Sequence, residues 1–110
     1  MIFQEILCAV QKLRCAEKRA QTERYLEVVI PQEILSQLKD LLAAYFGLPL
    51  KADGQPSSAA ANSLSKPYGG IQKNQTLYFR ENETIHEMAL LWPWASGAFT
   101  TVKLIQEKVE

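Results

Sequence analysis

His86 beside Glu87, Cys8 and Cys15 seven residues apart, Gly69-Gly70 between Lys66 and Lys73, and Trp92 and Trp94 on either side of Pro93 are the groups whose types and spacing could do chemistry. A lone histidine excludes a two-histidine metal pair or relay within one chain. On a regular strand Glu87 points to the opposite face from His86, so the two cannot act on one substrate together. His86 therefore reads as a half-buried strand residue with a satisfied ring, ahead of a general base, a ligand contact or a switch near an interface. Serines are plentiful between residues 57 and 65, yet none lies in a Gly-x-Ser-x-Gly setting that would expose it as a nucleophile.

Seven residues on a helix span about 10.5 Å. If Cys8 and Cys15 share one helix, that separation exceeds the reach of a disulfide and of a common zinc ion. Both read as reduced, small apolar side chains, free or bridged between chains. Gly69-Gly70 could form an anion-binding nest of amides near Lys66 and Lys73. The spacing matches neither a P-loop nor a dinucleotide fingerprint, so a connector is the first reading there. Trp92 and Trp94 form either a core plug with its lid or an aromatic clamp for a ligand or partner. No catalytic residue, metal ligand or cofactor is assigned from these residues.

The elements that position them follow from periodicity. Phe3, Ile6, Val10 and Leu13 recur at helical spacing, which predicts a first helix from about Ile2 to about Thr22. Its second half is mostly polar and reads as a solvated face with pairs such as Arg19 and Glu23. Leu26, Val28 and Ile30 alternate and predict a strand over Tyr25–Ile30. Pro31 suits a helix start and Gly47 its left-handed end. Between them Ile34, Leu35, Leu38, Leu41, Leu42, Tyr45 and Phe46 make one broad apolar face, the most secure helix in the chain.

From Lys51 to Asn74 the composition turns to Ala, Ser, Gly, Pro and Asn, predicting a long irregular loop at about 51–74, dispensable for folding, with Tyr68 as its best anchor. Three strands follow: Gln75–Glu81, Thr84–Trp92 and Phe99–Gln106, with a tight turn at Asn82-Glu83. The middle one is apolar at nearly every position from Met88 to Trp92, so both of its faces must be covered.

The chain has 110 residues, 47% hydrophobic and 22% charged, the composition of one folded domain. Twelve basic residues balance twelve acidic ones, which removes any global attraction for nucleic acid or anionic lipid. The first residues, Met1 to Leu7, have no basic flank and no long apolar run, so neither a signal peptide nor a membrane anchor is expected there and the cytoplasm is the expected setting.

The expected fold is an α+β two-layer sandwich, with about four mostly antiparallel strands, a C-terminal three-stranded meander and two helices on one face. His86, Met88, Leu90 and Trp92 are assigned to the helix-covered face. Tyr78, Arg80, Glu87, Ala89, Leu91, Lys103 and Ile105 are then left on the outer face. With Tyr68 and Trp94 these are the candidate interface or ligand contacts. The function expected from them is a small non-catalytic interaction or accessory protein. It would pair with itself as a homodimer through the outer sheet face, with a second protein partner possible through the 51–74 loop. The alternative is a small-molecule-binding domain or small enzyme with its site between that face and the loop.

Overall fold

The apolar run Met88–Trp92 becomes an interior strand of a five-stranded antiparallel sheet. In a computed structural model that describes residues 2–109, the strands are β1 (Glu17–Gln21), β2 (Tyr25–Pro31), β3 (Thr76–Asn82), β4 (Ile85–Pro93) and β5 (Phe99–Lys108). They lie in the order β1-β2-β5-β4-β3. Three helices complete an α+β fold: α1 (Phe3–Gln11), α2 (Leu35–Phe46) and α3 (Ala59–Ser65).

Alternation along each strand builds two apolar layers. Leu26, Val28 and Ile30 of β2, Val102 and Leu104 of β5, Ala89 and Leu91 of β4 and Tyr78 of β3 meet Phe3, Ile6, Leu7 and Val10 of α1 and Leu38, Leu42 and Tyr45 of α2. Each fully buried leucine or isoleucine there contributes roughly 1.5–3 kcal/mol of transfer free energy. On the other face Leu77, Met88, Leu90 and Ile105 pack against Ala61, Leu64, Tyr68 and Ile71. The sheet is therefore covered twice, by two helices on one side and by the 51–74 segment on the other.

This corrects the expected faces of β3 and β4. Met88 pairs with Ile105 and Ala89 with Leu104, and Val102 and Leu104 face the helices, so Ala89 and Leu91 must face them too. Tyr78, Arg80 and Glu87 share that side, whereas Lys103 and Ile105 lie on the side away from the helices. The physical reason is that both rows of β4 are apolar, and alternation alone cannot say which one a helix covers. The turn also sits one residue later than expected: Asn82 pairs with Ile85, leaving Glu83-Thr84 at the tip.

The first helix is shorter than its sequence stripe implied. It ends at Gln11, because after Val10 the helical positions would bring Arg14, Glu17 and Lys18 round with little to bury. The chain turns instead, Ala16 N–H bonds the Val29 carbonyl at 2.8 Å, and residues 17–21 form an exposed edge strand. A bulge between Lys18 and Ala20 and the charges around it protect this edge from pairing with another chain. Arg19 accordingly meets Glu17 at 3.1 Å and Glu27 at 3.7 Å in place of Glu23. Cys8 and Cys15 do not share a helix, and both thiols are free.

The segment expected to be an irregular loop is built structure. Ser58 caps α3 by accepting the Ala61 N–H at 3.1 Å, and a 3-10 turn over Lys66–Tyr68 follows. Lys51 closes the base of the segment. It is only 2% exposed, and its ammonium donates to the carbonyls of Ala52 at 3.1 Å, Lys73 at 2.6 Å and Gln75 at 2.6 Å. Its backbone adds a bridge to Leu77. Farther along, Tyr68 donates its phenol to Glu107 and accepts Lys103 Nζ on its backbone oxygen at 2.7 Å. Gly69 lies so close to the Trp92 ring that a Cβ there would sit 2.4 Å from it, and its φ of +112° also requires glycine.

Replacing Lys51 by Met keeps the stem and removes the donor to three carbonyls. The expected cost is roughly 1–3 kcal/mol in a urea melt, with faster amide exchange over residues 59–71 than in β2, β4 and β5. Unchanged stability and exchange would mean that the ammonium does not hold the segment down.

Candidate functional site

A carboxylate in an otherwise apolar strand marks the site. The helix-facing row of β4 runs Leu91, Ala89, Glu87, Ile85, and at Glu87 it passes out from under the helices. Glu87 is paired with Arg80 of β3 on one side and with Gln106 of β5 on the other. Cross-strand neighbours share a face at close range, so the three form one polar row across three strands. Tyr45, in the last turn of α2, comes down on this row from above.

The bonds are specific. Glu87 is 9% exposed. One of its oxygens accepts the Tyr45 phenol, and the other accepts Gln106 Nε2 at 2.7 Å. Arg80 Nε lies 3.7 Å from the first oxygen. The Arg80 guanidinium sits 4.4 Å from the Tyr45 ring centre and donates to the Tyr45 backbone oxygen at 3.1 Å. Burial first, and then the hydrogen bond to Glu87, push the Tyr45 phenol well above its ordinary pKa. The cost of burying the carboxylate is offset by two hydrogen bonds and an opposite charge.

A cleft of about 290 Å³ opens beside this row. Glu87, Arg80, Gln106 and Tyr45, with Gln4, Glu81 and Asn82, supply its polar side, and Phe3 at the start of α1, Ile85 and Ile2 its apolar side. Three of its lining residues are apolar and the rest polar, so it is more polar than the usual small-molecule site, and its volume lies just below the usual range.

The other residues singled out from sequence are dispersed. Ala89 and Leu91 are core residues under the helices, and Tyr78 is buried beside them. Ile105 is core on the opposite face. Lys103 places its ammonium 3.8 Å from the Trp92 ring centre, and burial pulls its pKa down. Tyr68 tethers the covering segment to Glu107, and burial followed by that bond push its phenol up to about 12. Trp94 lies in the β4–β5 turn, donates to Thr101 Oγ1 at 2.9 Å and packs at a tilt against the Phe99 ring, 5.1 Å between centres. His86, on the face away from Glu87, is 3.2 Å from Glu81 and 4.0 Å from Glu107. Of the expected set, only Arg80 and Glu87 come together at this cleft.

Tyr45, Gln106 and Lys51 carry no sign of these polar roles in the sequence. Tyr45 sits within an apolar helical stripe, and nothing local separates a core tyrosine from one whose hydroxyl reaches a carboxylate. Gln106 is visible only once the β4–β5 register is known. A usable signal was present in Glu87 itself, the one charge between Ile85 and Trp92. Among the described residues no group of three or more His, Cys, Asp or Glu side chains is placed to hold a metal ion. Comparison with protein-family models, curated proteins and solved structures finds no match for the chain.

The tyrosines give a pH test. Tyr25, Tyr45, Tyr68 and Tyr78 all have raised phenol pKa values, burial being the leading cause for each. The folded chain therefore holds more protons than the unfolded chain once pH passes the ordinary phenol value of about 10. Their contribution to stability is complete below that pH and is lost as pH rises toward the folded values. Tyrosinate absorbance should appear at higher pH in the native protein than in urea, and Tyr45→Phe should cost about 1–3 kcal/mol by stranding Glu87. Coincident titration curves would place the phenols in solvent.

Proposed function

We propose that the protein is a non-catalytic binding module, of cytoplasmic setting, whose ligand site is the cleft beside Glu87. The carrying observation is the Arg80–Glu87–Gln106 row beneath Tyr45 at the edge of a 290 Å³ cleft. Binding is preferred to catalysis because both Glu87 oxygens are already engaged by donors from the chain, which fits a rigid recognition surface better than a base awaiting a proton. Two free thiols suit the setting. The space between the sheet and residues 51–74, where a ligand site was also expected, is occupied by Leu64, Tyr68 and Ile71.

Amide shifts in a nitrogen-15 spectrum, recorded against a library of small fragments, test this reading. Hits should cluster on Phe3, Tyr45, Arg80, Ile85, Glu87 and Gln106. Hits confined to residues 51–74 would move the site to the other face and end the proposal.

Self-association is a second reading, supported by a different surface from the one first expected. The Ala89, Leu91 and Ile105 patch is used up within the chain. Leu48 and Leu50, by contrast, are 92% and 43% exposed on the short link that follows α2. Large side chains left out in this way mark contact sites more often than solvent-facing surface when they occur together. Light scattering should give a mass near twice the chain's 12.4 kDa, reverting to one chain's mass in Leu48→Glu. A wild-type protein that is already monomeric, or a dimer indifferent to that change, removes this reading.

A further inference from the structure

We infer that the cleft takes a small carboxylic acid with an apolar body, held by the Arg80 guanidinium. The inference rests on the cleft being the ligand site, and it adds the chemical class of the ligand. It follows from asking which charged groups at the cleft still have bonding capacity.

The carboxylates nearby are committed. Glu87 accepts from Tyr45 and Gln106 and faces Arg80. Glu81 also lines the cleft, but its carboxylate lies 3.2 Å from His86 on the neighbouring strand, and Glu5 accepts the Ile2 backbone N–H at 3.3 Å. Arg80 is in the contrary position. Among the described residues its guanidinium makes one hydrogen bond, from one terminal nitrogen to the Tyr45 backbone oxygen. Its approach to Glu87 at 3.7 Å is an ion pair longer than a hydrogen bond.

A guanidinium has five N–H donors, so most of its fork is open, and its side chain is 45% exposed at the cleft. Its place over the Tyr45 ring at 4.4 Å and its bond to the Tyr45 backbone oxygen hold it at the cleft. A guanidinium held in this way pairs best with a planar, two-oxygen acceptor, which is a carboxylate.

The rest of the cleft sets the body of the ligand. Phe3 and Ile85 offer an apolar wall, with Ile2 at its rim. A volume of about 290 Å³ admits a short chain or a single ring. An acid of this kind places its head on Arg80 and its body between Phe3 and Ile85, while Glu87 holds Arg80 from behind and keeps the arginine from swinging into solvent.

Sodium hexanoate, hexylamine and hexanol, titrated separately into the full chain and followed in the nitrogen-15 spectrum, test the inference. Hexanoate should shift the Arg80 Nε–H together with Tyr45, Ile85 and Gln106, and bind more tightly than the other two. Arg80→Gln should weaken hexanoate about tenfold or more while leaving hexanol unchanged, and Arg80→Lys should recover only part of the loss. Because Arg80→Gln also removes an ion partner of Glu87, the comparison of the three probes on the unmodified chain stands independently of whether that variant folds. Hexylamine or hexanol binding in the cleft as well as hexanoate does would overturn the acid class while leaving the cleft as the ligand site. No probe shifting any cleft residue would remove both. Hexanoate binding that is unchanged in a folded Arg80→Gln variant would overturn the role of Arg80.

Discussion

A strand that is apolar on both faces is the constraint from which the rest of this structure follows. Ala89 and Leu91 point one way from β4, Met88 and Leu90 the other, and all are almost completely removed from solvent. Two helices of nine and twelve residues cover one side. Leaving the other bare would expose Leu77, Met88, Leu90 and Ile105 together, a contiguous patch of the kind soluble chains avoid. The chain resolves this with its least regular segment, and residues 51–74 must order themselves although their composition favours disorder.

Ordering so polar a segment requires fixed points, and these are polar groups placed in apolar surroundings. The Lys51 ammonium gathers three carbonyls at the segment's base. Burial draws its pKa down, the expected sign for a cation taken out of water, but three hydrogen bonds from a charged donor offset that cost. At the far end Lys103 and Glu107 of β5 hold Tyr68 by its backbone and its hydroxyl. The small helix α3 lies between, contributing Ala61 to the layer. A glycine stands at residue 69 because the backbone there comes within contact of the Trp92 ring.

How much of this could be read from the chain differs by element. The second helix was legible in its apolar face, since Leu38, Leu42 and Tyr45 bury as their spacing required. Its ends differ: it begins at Leu35 after a 3-10 turn and not at Pro31, and Gly47 ends it with φ 80° and ψ −147°, outside the left-handed helical region. The three C-terminal strands were legible as strands, and so was the need for two covers. The choice of face was not: swapping the rows of β4 changes no residue's polarity, and only the pairing of Ala89 with Leu104 decides it. The end of the first helix and the edge strand after it were hidden because Glu17–Gln21 is exposed, and an exposed edge carries no alternation to detect. Lys51 was hidden for another reason, since its partners are backbone oxygens and two of the three lie more than twenty residues away.

The same two-sided burial explains why the polar row lies where it does. At the helix-facing edge of β4 the cover of α1 and α2 runs out, so a charged residue there can be sheltered on one flank and wet on the other. Glu87 occupies that margin, bonded across the sheet to Gln106, facing Arg80 and bonded upward to Tyr45. An ion pair in such a place contributes little net stability compared with apolar residues of the same size. What it supplies is a fixed direction for Arg80, which a free surface arginine lacks because its rotamers must be frozen on binding. The row thus converts a boundary of the core into a preorganised polar surface, and that conversion links the packing of this sheet to the cleft beside it.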